Sequence, residues 1–400
     1  MKKHLTLFFI LFCSYTVFGQ QDVDYILKAK AYIETGRPEL AINLLSSAID
    51  EKRDSRFFME RAEAYVLKGD YSSAISDYNE SNIIIPSSGE YGLSRIYALK
   101  GDAATALYHL EMNLNSPFRK GEKVVMLDPA FATIENRPEW RQFWKKERYN
   151  LSERNISEIE YYVAAGKSDE AKAILSELKE SSRPGNDILY AEALVNQLSG
   201  KYPEVIKVMV GLVESDPSNE KYLRVLAKTQ VATSNMAGAS VTYSRLIDLG
   251  VPDPKLLILR AECYKRTGET DKALSDIQKY LDYYPSDREA LSLAGKVEAA
   301  AGDHLKALEY FSTNLKVHPN DAECYIDRAN SYFVSKSWEW AIKDYSMSLD
   351  LDPGNSEIWL NKGIALLNSG SLADACHDFR KSFSMGNKRA SGYISRNCIK

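Results

Sequence analysis

Histidine is the side chain best suited to acid–base work near neutral pH, and it occurs five times in 400 residues. None of His4, His109, His304, His318 and His377 belongs to a His-Glu-x-x-His pair that could hold zinc on one helix face. There is no Gly-x-Ser-x-Gly elbow to present a serine nucleophile. Gly166–Lys167–Ser168 ends like a phosphate loop, but such a loop needs a glycine five residues before Gly166, where Tyr161 stands. Carboxylates are abundant yet scattered, as on solvated helix faces. Cys263, Cys324, Cys376 and Cys398 lack the close C-x-x-C pairing of a zinc or redox site. No catalytic residue, metal site or cofactor is expected, and the chain reads as a non-enzyme.

What does recur is small, and it must position helices. Ala273, Ala307, Ala341 and Ala375 stand 34 residues apart, as do Pro285, Pro319 and Pro353. Gly268, Gly302 and Gly370 keep the same beat, with Lys336 at the one missed step. A fixed period of this length means one supersecondary unit copied and stacked. Each unit reads as a helix, a glycine turn, a second helix and a closing proline. Glycine tolerates the left-handed backbone after a helix, and proline cannot continue one. The alanines fall where two helices approach closely. Phe311, Tyr345 and Phe379, each four residues further, lie on the same helix face and fill the wider gap.

These residues resemble the tetratricopeptide repeat, whose aromatic, Gly, Ala and Pro positions span 34 residues. Trp359, Gly363, Gly370, Ala375 and Phe379 carry the likeness in unit 356–389, and Tyr325, Ala329, Tyr332, Ala341, Tyr345 and Pro353 in unit 322–355. Units 254–287 and 288–321 complete a run of four. Earlier copies follow Ala41, Ala74, Ala106, Ala171, the stretch Leu189–Pro217, and Ala239, giving ten units. The resemblance implies an all-α fold, a right-handed α-solenoid of helix-turn-helix repeats.

The period breaks between about Asn113 and Asn155, where Pro117, Gly121 and Pro129 exclude one continuous helix. Pro138 then opens a helix with Trp140, Phe143 and Trp144 on one face. This segment is expected to cap the first three repeats (22–148) and join them to seven more (152–389). Trp140 and Trp144 are either its packed core or an exposed docking patch. Ala390, Tyr393, Ile394 and Cys398 mark one apolar face of a short capping helix over 390–400.

At the other end, Lys2 and Lys3, the apolar run Leu5–Phe12, and small residues Val17 and Gly19 read as an export signal, residues 1–19. The run is shorter than the roughly 20 residues of a membrane span. The alternative is a lipoprotein signal with Cys13, at the end of the apolar run, as the lipid acceptor, although Phe12 stands where a small residue is expected. Net charge is −4, and loss of Lys2 and Lys3 makes it −6, so the whole chain shows no basic footprint for nucleic acid or an anionic membrane.

The resemblance also implies a groove lined by first helices. Carried onto the last two repeats, its positions fall on Ile326, Asn330 and Phe333, then on Leu360, Ile364 and Leu367. That surface suits an extended or helical peptide of a protein partner. Some family members clamp a chaperone's terminal carboxylate; Asn330 and Asn361 match that pattern, but Ile326 replaces its first lysine, so the clamp is incomplete. The tail around Cys376 and Cys398 resembles exported bacterial members in which such a pair recurs. Either a disulfide, contributing roughly 3 kcal/mol by closing the loop, or two buried thiols would fit.

Together these readings point to an exported scaffold in the cell envelope, periplasmic or outer-membrane-associated, with protein partners and at most peripheral membrane contact. The alternative is a structural subunit of a membrane-associated transport or secretion assembly, using its outer face. An enzyme with a dispersed site is the third reading.

Overall fold

The computed structural model of the chain describes residues 21–181 and 185–398; the export signal and Cys13 lie outside them. The described residues are helical and include no strand. They form two compact units divided at Leu256/Leu257.

The first unit begins with α1 (21–34) and α2 (Pro38–Glu51), then α3 (Ser55–Lys68) with α4 (Tyr71–Ile84), and α5 (Glu90–Leu99) with α6 (Ala103–Leu114). A joint follows: α7 (Glu122–Met126), a 3-10 turn at Pro129–Phe131, and α8 (Pro138–Phe143). Three more pairs complete the unit: α9 (Leu151–Ala164) with α10 (Ser168–Ser181), α11 (Asn186–Leu198) with α12 (Tyr202–Ser215), and α13 (Glu220–Ala232) with α14 (Met236–Asp248). The helix α15 (Lys255–Thr267) runs across the division and pairs in sequence with α16 (Thr270–Tyr283). The second unit continues with α17 (Arg288–Ala300), α18 (His304–Val317), α19 (Ala322–Val334), α20 (Trp338–Leu351), α21 (Ser356–Asn368), α22 (Leu372–Ser384) and α23 (Ala390–Asn397). The described residues thus hold the ten helix pairs that the spacing predicts, stacked as an α-solenoid within each unit.

Local chemistry explains the punctuation. Asp70, Asp102, Asn235, Asp287, Asp303 and Asn355 each accept an amide hydrogen bond near the start of a helix. These caps satisfy donors that the first turn leaves free. Between the helices of a pair the backbone turns left-handed, at Gly370 with φ +91°. Lys336 adopts the same conformation, φ +58°, although it carries a side chain.

The recurring alanines are the closest contacts. Ala41, Ala74, Ala106, Ala171, Ala239, Ala273, Ala307, Ala341 and Ala375 are all fully buried. A larger side chain would separate the pair and forfeit the contacts of both helices. Gly363 serves the same closeness: a Cβ there would stand 2.6 Å from the Phe379 ring.

The joint does not divide the chain. Val125, Phe131, Ile134, Trp140 and Tyr149 share one core with Ala106 and Leu110 of α6. Beyond it, Arg119 meets Glu153 at 3.3 Å and Arg154 meets Glu122 at 3.1 Å. The segment is thereby tied to α9 as well as α6. The compact units divide at Leu256/Leu257, not at the joint.

Candidate partner-binding face

Within each unit the first helices of successive pairs stand side by side, and their exposed residues form the face a partner would meet. In the first unit this face is a ladder of charges. Lys30 Nζ lies 3.3 Å from Glu60. Arg95 donates to Glu63 at 2.8 Å, and its Nε lies 3.1 Å from Asp128. Tyr91 donates to the same Asp128 at 2.8 Å, and Tyr78 to Glu63. Burial raises the Glu60 carboxyl, which nearby Lys30 opposes. Lys30, Glu63 and Arg95 occupy one repeat position, so alternating sign along that position was the available sequence signal.

In the second unit Asp327 is buried and receives Lys296 at 2.9 Å and Ser292 at 2.5 Å. One turn on, Asn330 is exposed and its Oδ1 accepts a 2.7 Å hydrogen bond from Tyr345. Burial pushes the Tyr345 hydroxyl up, which keeps it a donor. Phe333 is half-buried, edge-on to Trp338 with centroids 5.2 Å apart. Beside it Val334 is 62% exposed. Asn330, Phe333 and Val334 therefore form an accessible surface with an amide, a ring edge and a methyl pair.

The other expected groove residues are placed differently. Ile326 is buried with Ala329, Tyr345 and Ile358. Leu360 is fully buried with Ala375, Phe379 and Ala390. Both sit at the same repeat position, which turns into the seam between neighbouring helices, so neither offers a side chain to a partner. Ile364 and Leu367 are half-buried against the cluster that holds Leu360 and the cap residue Tyr393.

Trp140 and Trp144 belong to the joint's core. Trp140 packs on Phe131 at 5.2 Å and on Trp144 at 5.6 Å, while Trp144 stacks on Tyr149. Both indoles are packed into the joint, Trp144 with a buried Nε1 that has no hydrogen-bond partner, so they do not stand out as an exposed docking patch.

Cys376 and Cys398 are joined, with Cα atoms 5.6 Å apart. The bond fixes α23 to α22. Cys263 and Cys324 remain buried free thiols, each pushed up to about 11 by burial. Among the described residues no group of His, Cys, Asp and Glu is arranged to hold a metal ion. None of the described helices is long and apolar enough to cross a membrane.

One family model, the tetratricopeptide repeat, matches residues 26–88 and 258–322. No curated protein matches the chain. Among solved structures, a tetratricopeptide repeat protein from Parabacteroides merdae ATCC 43184 is similar over 62% of this chain and 99% of its own, at 19% identity and TM-score 0.47. The APC/C hetero-tetramer Cut9-Hcn1 is similar over 99% of this chain and 95% of its own, at 13% identity and TM-score 0.45. YrrB, described as a TPR protein with an unusual peptide-binding site, covers 47% of this chain and 97% of its own, at 13% identity and TM-score 0.38. At these values the likenesses say nothing about function. The two matched stretches fall on helix pairs that keep the beat of Ala41, Ala74, Ala273 and Ala307, and the chain that repeats them is a tetratricopeptide-repeat protein.

Proposed function

We propose that this protein is a non-enzymatic scaffold of the cell envelope that holds a partner segment against the first-helix face of its second unit. The observation that carries the reading is the exposed surface of Asn330, Phe333 and Val334, flanked by the Lys296–Asp327 pair. An extended or helical peptide meets such a surface with its apolar side chains on Phe333 and Val334. Its backbone or an amide side chain bonds Asn330. The Asn330 Oδ1 is already held by Tyr345, so its amide group is oriented and available to donate. Export rests on the Lys2–Gly19 segment, and the second unit's disulfide suits an oxidising compartment.

The test is affinity capture from the native envelope with the parent protein and with Val334→Asp. Val334 is 62% exposed, so the variant should melt with the parent. Loss of at least one captured protein at unchanged melting temperature supports the reading. An identical set of captured proteins excludes this face. Leu360→Asp is unsuitable, because a charge at a fully buried position destroys the repeat first.

A further inference from the structure

Residues 257–378 carry twenty acidic and thirteen basic side chains, whereas residues 379–400 carry six basic and no acidic ones. The whole-chain charge conceals this reversal. The fold gathers it, because the Cys376–Cys398 bond fixes α23 beside α22 and the turn between them is short. Arg380 reaches the Cys398 carbonyl at 3.4 Å, and the Arg396 guanidinium sits 6.0 Å from the Tyr393 ring. Arg389 is paired with Glu357 at 2.5 Å. Arg380, Lys381, Lys388 and Arg396 are all exposed.

Apolar groups stand among these charges. Phe383 is 50% exposed and Leu372 45% exposed. Eleven residues apart, they return to the same side of α22 after three turns. Phe383 thus lies one turn from Arg380 with water on half of its ring.

We propose that this terminal face, made by the end of α22, the turn and α23, docks on an anionic lipid surface. The charges are spread along two helices and a turn, as a plane of phosphate headgroups requires, rather than converging on one carboxylate. Basic side chains supply the attraction and a half-exposed aromatic ring the interfacial anchor, the two signals that make a peripheral contact stable. The surface is separate from Asn330 and Val334, so it holds whether or not the groove reading does.

The test is co-sedimentation of the purified protein with vesicles of phosphatidylglycerol and phosphatidylcholine in equal parts, against phosphatidylcholine alone. The protein should sediment with the anionic vesicles only, and rising salt should release it, because exposed charges are screened. The variant Lys381→Gln/Lys388→Gln/Arg396→Gln should lose affinity by about 100-fold at unchanged melting temperature. Phe383→Ser should lose about tenfold. Equal binding to both vesicles, no binding to the anionic ones, or full binding by the triple variant overturns the proposal. So does a matching loss in Lys145→Gln/Lys146→Gln, which changes charge in the other unit. Capture of soluble polyglutamate without vesicle binding also overturns it, and would assign the face to an acidic polypeptide.

Discussion

Arg328 on α19 grips Asp344 on α20 with two parallel hydrogen bonds, Nε to Oδ2 at 2.6 Å and Nη2 to Oδ1 at 2.9 Å. The same fork joins Arg61 to Asp77 and Arg260 to Asp276, and Lys362 meets Asp378 at 3.3 Å. Each pair is sixteen residues apart and clips the two helices of one repeat. Removing a buried carboxylate strands its partner, which costs about 3–5 kcal/mol. Asp344→Ala should lose about 3 kcal/mol in urea unfolding, the lower end, because Arg328 retains some water. Arg328→Met with Asp344→Leu should recover most of it. A loss below about 1 kcal/mol for Asp344→Ala would show that the fork is dispensable.

Lys336 supplies a second prediction. Its left-handed backbone costs a side-chain-bearing residue about 1 kcal/mol. Lys336→Gly restores the residue that other repeats use there, at some cost from the freer unfolded chain. A net gain of about 0.5 kcal/mol is expected in thermal unfolding, whereas Gly370→Lys should lose at least as much. A destabilised Lys336→Gly would mean that the lysine side chain compensates for its backbone.

Three capping aspartates contribute to the acid limb. Hydrogen bonds hold their carboxyls below the ordinary range: from the Ser73 hydroxyl and amide at Asp70, from the Thr105 hydroxyl and amide at Asp102, and from the Lys306 amide and ammonium at Asp303. A depressed folded value means stability that is complete above the unfolded value of about 3.9 and is lost as pH falls through the folded one. Asp70→Asn, Asp102→Asn and Asp303→Asn together keep an acceptor but do not titrate. The triple variant should therefore lose less stability than the parent between about pH 4 and pH 2. Parallel acid profiles would rule the caps out as its source.

Thiol chemistry gives a fourth. With Cys263 and Cys324 buried and raised to about 11, the folded protein should resist alkylation at pH 8. In denaturant without reductant those two should label, with Cys13 where the chain retains it, while Cys376 and Cys398 stay unlabelled until reduced. Mass spectrometry reads both states, and labelling of Cys398 without reductant would contradict the bond.

Gly363 gives a fifth. An added methyl would lie 2.6 Å from the Phe379 ring and 3.3 Å from the Ala375 carbonyl, so α21 and α22 must part. Gly363→Ala should cost about 1–3 kcal/mol, despite the higher helix propensity of alanine. Increased stability by urea titration would show that the seam has slack.

The architecture was legible because its determinants are small residues at a fixed step. Ala341 and Gly370 have one role each, helix contact and turn, and a 34-residue ruler finds both. The Arg–Asp forks escaped, since their partners lie on different helices and a surface i, i+4 pattern does not connect them. Arg260 and Arg328 nevertheless stand two periods apart, as do Asp276 and Asp344. Ile326 and Leu360 were misplaced because a repeat position is an average, and the seam claims it here. Trp140 showed its apolar face in sequence, but only the fold supplies Phe131 and Tyr149 to cover it. The basic end was hidden by summing charge over the chain.

The Cys376–Cys398 bond also decides how the second unit can come apart. A stack of repeats ordinarily frays from its ends, since the last element has one neighbour instead of two. Here the last helix cannot leave alone: α22, the turn and α23 form a covalent ring. Unravelling must begin with this whole ring, or inside the stack. Lys296–Asp327 binds the repeat 288–321 to the next, but that repeat has Ala294 where others carry the clip residue. From this end, under load or heat, the second unit therefore opens by the whole ring or by an interior repeat, not by its last helix alone.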